Sequence, residues 1–412
     1  MTIGVISLTT RWNGGAFQYE NLLLSALGQV HQSGRHQLEF LFHLGPAGLS
    51  WLMSGEMRLH GLPVRALWQP AEAELREYAG ALAPIVLQQL DGSRALNSVD
   101  WLFLTCPTEI GVLARRPFVM PIHDLQHRFQ PEFPEVGRPA EFTRREALFT
   151  HACRHAAMIL VDSEAGKEDV LTCYGGLIEP DRIYVMPLYP VVAAQRVDDP
   201  ARLAAVRARY RLPERFFFYP AQFWFHKNHA RIIDAIAQIA ARTGERMPIA
   251  LCGLHGDKDW APSFDTVMRR VTEHGLNDSV HLLGFVDADD MPALYSQAVG
   301  LVMPTFFGPS NIPILEAWSC GCPTITSDIR GVREQAADAA LLVDPRSVDA
   351  IADAMWRLWT DPECRAELAR RGSEQARRIA QTDYASLVGK FVDEVSERVA
   401  AGRVPPPIQM PR

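Results

Sequence analysis

Three stretches of the sequence place residues able to handle phosphate, sugar hydroxyls or protons just after a predicted strand. The fullest is 303–328, MPTFFGPSNIPILEAWSCGCPTITSD. Its apolar entry, 298–304, is short enough for a buried parallel strand. A turn-rich loop, Phe307-Gly308-Pro309-Ser310-Asn311, then leads into a predicted helix over 312–318. Pro313 falls in its first turn, where the missing N–H costs nothing. Free amides and the helix dipole at such a start favour anionic oxygens. A loop between a strand's carboxyl end and a helix is also where open α/β sheets bind ligands. Glu316 lies one turn inside, too deep for a phosphate and well suited to accept hydrogen bonds from sugar hydroxyls. Together these features describe a site for a nucleotide or nucleotide sugar. A structural turn with Glu316 in a salt bridge is the plainer alternative.

The second stretch, 216–229, reads FFFYPAQFWFHKNH: a buried strand, a loop and a helix start. Lys227 falls at the carboxyl edge of that strand, as a point charge suited to a diphosphate leaving group. Most lysines are simply solvated, and that reading stands beside it. The third stretch, Pro121-Ile122-His123-Asp124-Leu125-Gln126-His127, again follows a strand. His123 and His127 stand four apart, but they end a strand rather than fill a helix, and Asp124 replaces the glutamate of the zinc-protease motif. No metal is expected there. His123 is either a satisfied, partly buried histidine or one that reaches a substrate, with Asp124 or a carbonyl fixing its tautomer. The following stretch, 138–157, pairs an apolar face (Phe142, Leu148, Phe149, Ala152) with Arg144, Arg145 and Arg154. It is a core-packed helix with a basic edge, or a surface for an anionic or lipid-linked acceptor.

These stretches need a scaffold of strands with ligand loops at one edge, and the length supports two such domains. A chain of 412 residues exceeds one ordinary core. Its 48% hydrophobic and 22% charged content is that of a globular protein. A net charge of −7 provides no basic field for nucleic acid. No apolar run reaches membrane-spanning length, and Met1 runs directly into a strand without a leader pattern. The 7 cysteines are odd in number and sit mostly in apolar runs, as unpaired thiols in a reducing cytoplasm do. Cys320 and Cys322 lack the second ligand pair that zinc requires.

In chain order, a strand at 2–8 is followed by the loop Arg11-Trp12-Asn13-Gly14-Gly15 and a helix over 17–32. Gly14 and Gly15 let the backbone approach a ligand or merely turn tightly. No dinucleotide glycine fingerprint is present, which speaks against a nicotinamide enzyme. Strand-like runs recur at 38–44, 63–68, 101–106, 118–122, 157–161 and 183–186, with helical patterns such as 71–90 between them. A proline-rich change of pattern at 187–200 marks a linker. A second βα series then covers 216–304, and helices over 348–359, 362–379 and 384–400 close the chain. The alternation predicts an α/β protein of two doubly wound, Rossmann-like domains facing a cleft.

With these stretches in hand, the chain resembles glycosyltransferase family 4, whose fold is the two-domain GT-B. The likeness rests on His123-Asp124-Leu125, Val161-Asp162-Ser163-Glu164, His226-Lys227-Asn228, Gly284-Phe285-Val286 and Gly308-Pro309-Ser310-Asn311-Ile312-Pro313 before Leu315-Glu316-Ala317. It implies an N-terminal, acceptor-side domain at 1–190, a nucleotide-sugar-binding domain at 191–383, a helix at 384–403 packing back toward the first domain, and a disordered tail at 404–412. It implies retaining sugar transfer without metal or cofactor, the nucleotide sugar being a co-substrate. Glu316 would bind the ribose, Lys227 the diphosphate and His123 the donor sugar. Gln222, His226 and Asn228 would flank the diphosphate, Phe285 and Val286 would face the base, and the amides of Ser310, Asn311 and Ile312 would hold sugar and phosphate. Gly14 and Gly15 would approach the diphosphate or the acceptor. The chain departs from the family at two positions: Gly308 replaces the first of two glutamates eight apart, and Gln222 replaces an arginine five residues before the lysine.

The GPSN-type loop is similar to that of bacterial mannosyl and rhamnosyl transferases of surface polysaccharide (O-antigen) synthesis. A GDP-linked donor, GDP-mannose or a deoxymannose analogue, and a saccharide or lipid-linked saccharide acceptor follow from that resemblance. So does a cytoplasmic location with peripheral contact at the inner face of a membrane. A UDP-sugar transferase, a nucleotide-sugar 2-epimerase and an inactive nucleotide-binding scaffold are the competing readings.

Overall fold

The computed structural model describes residues 1–7, 15–43, 64–67, 98–108, 110–113, 115–188, 195–253, 261–309 and 311–406. For residues 16, 17, 42, 43, 64–67, 112 and 113 it describes the backbone alone. The expectations placed on Gly14, Ser310, the helix at 71–90, much of the linker and the end of the tail lie outside the described residues.

The chain divides into two compact units. The first comprises Met1–Leu125, Phe142–Pro187 and Asp383–Arg412. The second comprises Gln126–Glu141 and Leu188–Thr382. The boundary at the proline-rich linker, with the last helix returning to the first domain, misses one exchange. Residues 126–141, which precede the linker, group with the second unit, and the last helix groups with the first.

In the first unit the described strands are β1 (Thr2–Ile6), β2 (Gln37–His43), β3 (Val64–Leu67), β4 (Trp101–Leu104), β5 (Phe118–Pro121), β6 (Met158–Val161) and β7 (Ile183–Val185). They form a parallel sheet in the order β3-β2-β1-β4-β5-β6-β7. Strands buried on both faces read as unbroken apolar runs, as WLFL in β4 and MILV in β6 do. The helix Tyr384–Ala400 packs on the helix Gly15–Gln32. It also places Phe391 against Phe103 and Tyr184, and Ser396 under the Trp101 indole at 3.2 Å.

The second unit repeats the plan with β8 (Phe217–Pro220), β9 (Ile249–Cys252), β10 (Val280–Gly284), β11 (Gly300–Met303), β12 (Thr324–Ser327) and β13 (Leu341–Val343). All pairings are parallel, in the order β10-β9-β8-β11-β12-β13. From β8 the chain builds outward through β9 and β10, then returns to place β11 on the other side of β8. The direction of winding therefore reverses between β8 and β11, and that reversal opens a crevice at their carboxyl ends. Phe216, Phe217, Phe218 and Tyr219 are fully buried, so β8 is the centre of this core. Helix Ile312–Ser319 packs on helix Pro362–Ala380 through Trp318, whose indole donates to the Ala339 carbonyl at 3.2 Å. That contact fixes the helix that carries Glu316.

Candidate functional site

The loops after β8 and β11 meet at the winding reversal and are tied together by their backbones. After β8 the chain makes a single turn, Phe225–Lys227, closed by Asn228 in the left-handed region at φ 63°. Asparagine tolerates that conformation better than most residues. Its side chain is buried, and its amide donates to the carbonyls of Pro304 and Pro345, each at 2.8 Å. Asn228 thus joins the turn after β8 to the loops after β11 and β13. With both amide protons engaged, it supports the site from behind, whereas the resemblance gave it a donor contact. The buried Tyr219 hydroxyl donates to the Lys227 carbonyl at 2.8 Å, and the His226 carbonyl accepts the Phe306 N–H at 2.7 Å. Lys227 therefore stands on a turn whose backbone is held from three directions.

His226 is fixed by a residue that the sequence did not single out. Its backbone N–H donates to Glu135 Oε1 at 2.9 Å, and its ring Nδ1 lies 2.5 Å from the same oxygen. Burial opposes ionisation of Glu135, but the hydrogen bond and charge of His226 outweigh it and hold the carboxyl below the usual range. Glu135 lies on the short helix Pro134–Gly137, within the segment that crosses into this unit. The same segment sends the Gln130 amide to the Phe306 carbonyl at 2.9 Å and packs Phe133 on the Phe306 ring, centroids 5.3 Å apart. Gln222 accepts from the Trp224 indole at 3.2 Å.

Across the crevice, helix Ile312–Ser319 begins at Asn311 with Pro313 in its first turn. Glu316 is buried and accepts the Tyr295 hydroxyl at 2.7 Å. Burial, reinforced by the Glu316 charge, raises the Tyr295 phenol well above 10, so it stays a donor. One carboxylate oxygen of Glu316 is thereby set and the carboxylate oriented. The loop before the helix departs from expectation. Gln335 Oε1 accepts the Asn311 N–H at 2.9 Å, so this amide is not among those that could hold sugar or phosphate. Gly308 has φ 135°, a region for glycine, and a Cβ there would fall 2.9 Å from Asn311 Oδ1. The substitution of glycine for glutamate is therefore built into the backbone. Phe285, following β10, is 46% exposed, while Val286 beside it is buried. Ile312, at the first helical position, is buried.

In the first unit, Gly15 opens the helix Gly15–Gln32 and is exposed. His123 follows β5 and meets the Tyr19 ring edge-on at 4.7 Å. Burial pushes its imidazole down to about 4; Asp124 pulls the other way and Arg145 adds to the depression. It is thus neutral at pH 7. Asp124 pairs with Arg145 of the helix Pro139–His155 at 2.7 Å, giving the basic edge of that helix a structural partner. Among the described residues no cluster of three or more His, Cys, Asp or Glu could hold a metal ion.

Residues 206–378 match the family model of glycosyl transferases group 1. The chain is 27% identical over 265 residues to O-antigen chain mannosyltransferase B of Escherichia coli, covering 64% of this chain and 66% of that protein. It is 28% identical over 205 residues to the GDP-mannose-dependent alpha-(1-6)-phosphatidylinositol monomannoside mannosyltransferase of Mycobacterium tuberculosis, covering 47% of this chain and 51% of that one. The matched part thus spans just under two thirds of the first relative and about half of the second. Among solved structures, Anabaena Alr3699/HepE in complex with UDP and glucose superposes with a TM-score of 0.71 at 17% identity, over 96% of this chain and 99% of that one. Two parallel sheets with flanking helices are the architecture this chain shares with that structure. Residues 206–378 are accordingly a group 1 glycosyl transferase domain, on a chain with the GT-B fold.

Proposed function

We propose that this chain is a retaining, metal-independent glycosyltransferase. It moves mannose or a deoxymannose such as rhamnose from a GDP-linked donor to a saccharide or lipid-linked saccharide. The observation that carries the reading is Glu316, a buried carboxylate oriented by Tyr295 one turn inside the helix at the winding reversal. A carboxylate so placed accepts from a pair of ribose hydroxyls. Lys227, on its braced turn at the neighbouring strand end, supplies positive charge to the diphosphate as it leaves. The O-antigen and GDP-mannose-dependent relatives support the choice of sugar and base.

With glycine at 308, that loop supplies no carboxylate nucleophile. The reading is therefore front-face transfer: the acceptor hydroxyl attacks on the side from which the diphosphate departs, and a phosphate oxygen takes its proton. Positioning and charge stabilisation do most of the catalysis. Among the described residues no helix is long and apolar enough to cross a membrane, which is compatible with peripheral contact to reach a lipid-linked acceptor.

The test is thermal unfolding with GDP, UDP and ADP, followed by product analysis with the matching nucleotide sugar, with and without saccharide acceptors. A ligand at ~100 times its Kd adds about 2.7 kcal/mol to the native state. A shift selective for GDP and transfer from GDP-mannose or GDP-rhamnose are expected. A shift selective for UDP would overturn the donor assignment, and no shift with any nucleotide would overturn the whole reading.

A further inference from the structure

Among the described residues at this edge, Glu135 is in a state that the proposed roles leave unexplained. Its side chain is 6% exposed, and one oxygen, Oε1, takes both the backbone N–H and the ring of His226. The other, Oε2, is buried and accepts from no other residue among those described; beyond His226, the carboxylate is favoured only by its own backbone N–H. Leaving a buried acceptor unsatisfied is costly, the more so when it is charged. The shift of the carboxyl below its usual range means that the charge is kept despite burial.

Its placement narrows what Oε2 could meet. His226 immediately precedes Lys227, and the Glu135 segment packs through Phe133 and Gln130 on Phe306, two residues before Gly308. Glu135 thus stands where the turn bearing the diphosphate-binding lysine meets the loop that has no side chain at 308. In a nucleotide sugar, the group attached beyond the diphosphate is the sugar. We infer that Glu135 binds the donor sugar: Oε1 is fixed by His226, and Oε2 accepts a hydrogen bond from a sugar hydroxyl. This inference rests on the nucleotide-sugar reading of the site. It makes Glu135 a binding and positioning residue, supplied by a segment distant in sequence from the domain it serves. Holding a hydroxyl by a charged acceptor fixes the ring against the departing phosphate, which is the geometry front-face attack demands.

The test compares a nucleoside diphosphate with its nucleotide sugar, GDP with GDP-mannose and UDP with UDP-glucose, by calorimetry on the wild type, Glu135→Gln and Glu135→Ala. Glu135→Gln keeps an oxygen for the His226 N–H and replaces the Oε2 acceptor with an NH2 donor. The expected result is a nucleotide-sugar Kd raised about tenfold or more in Glu135→Ala and by a smaller factor in Glu135→Gln. The diphosphate Kd should stay within about twofold in Glu135→Gln, whose unfolding temperature verifies the fold. Equal weakening of diphosphate and nucleotide sugar in Glu135→Gln would show that Glu135 only props the His226 turn and would overturn the inference. Unchanged affinities in both variants would overturn it as well. Failure of the wild type to bind any of the four ligands would instead refute the nucleotide-sugar reading beneath it.

Discussion

Gln335 grips the backbone of Asn311 from both sides. Its Oε1 accepts the Asn311 N–H at 2.9 Å and its Nε2 donates to the Asn311 carbonyl at 2.9 Å. The clamp is supported one turn earlier, where Gly331 lies so close to Pro309 that a Cβ would fall 2.5 Å from the Pro309 carbonyl oxygen. Together they set the path of the loop into the Glu316 helix. Gln335→Ala removes two partly buried hydrogen bonds and leaves their partners unmatched, for a loss of roughly 1–3 kcal/mol. Urea denaturation should register that loss, and the donor KM should rise more than kcat falls. Unchanged stability and KM would mean that the loop is held without the clamp.

Gly308 and Asn311 are mutually adapted, so restoring a glutamate at 308 should not restore a glutamate's function. With φ at 135°, any L side chain is strained, by an amount on the order of 1–3 kcal/mol. The Asn311 amide also fills the space that its Cβ would enter. Gly308→Glu should lower the unfolding temperature and reduce transfer. The double variant Gly308→Glu with Asn311→Gly should recover part of the stability. Higher activity in the single variant would show that the loop rearranges freely.

What was legible in the sequence was local. The FFFY run announces a buried strand because side chains covered on both faces must be apolar, and Pro313 three residues before Glu316 marks the helix start. The positions of Lys227 and Glu316 at adjacent strand ends follow from those patterns and the parallel winding. What escaped was long-range pairing. Asn228 joins carbonyls 76 and 117 residues away, and Glu135 reaches His226 across 91 residues. In PEFPEVGRP no periodicity separates Glu135 from Glu132, and nothing local tells that this segment leaves its own sheet for the other unit. Likewise the Gln335 clamp rides on the five-residue helix Val332–Ala336, too short to stand out as a pattern.

Lys227 offers a direct test of leaving-group stabilisation. The Tyr219 bond to its turn ends on the Lys227 carbonyl and survives truncation of the side chain. Lys227→Ala should therefore keep the fold and lower transfer tenfold or more, equivalent to about 1.4 kcal/mol of transition-state stabilisation. Single-turnover rates with saturating donor separate this from weakened binding. A wild-type rate would remove Lys227 from the chemistry.

The helix carrying Glu316 can be disturbed from outside the site. A Cβ at Gly372 would fall 2.3 Å from the Trp318 ring, which is fully buried and has no room to swing. In an exposed helix Gly→Ala gains about 1 kcal/mol of propensity, whereas overpacking a core costs about 1–3 kcal/mol. The overlap is with a rigid indole, so the packing cost should win. Gly372→Ala should be less stable by about 1 kcal/mol or more and should raise the donor KM, because Trp318 and Glu316 share one short helix. A stabilised variant would show that the helices separate at little cost.

Acid sensitivity should trace to His229. It opens the helix His229–Thr243 with its ring 4.5 Å from that of Phe223 and 4.7 Å from that of Tyr219. Burial pushes the imidazole from 6.5 down to about 3; the Ala221 backbone opposes this, and Lys227 and His226 add to it. The folded state therefore resists a proton that the unfolded chain takes up below 6.5. Its contribution to stability is complete above 6.5 and is lost progressively as pH falls from 6.5 toward 3. His123 acts in the same direction down to about 4, but it is present in both proteins when wild type and His229→Phe are compared. The aromatic replacement keeps a ring in the stack and removes the titration. The difference in unfolding free energy between the two should shift in favour of the variant by up to about 1.4 kcal/mol per pH unit below 6.5. Urea titrations from pH 7.5 to about pH 4.5 would measure it. Parallel curves would mean that His229 takes up its proton at the same pH in the folded and unfolded chains, and would exclude it as the acid-labile point of the second unit.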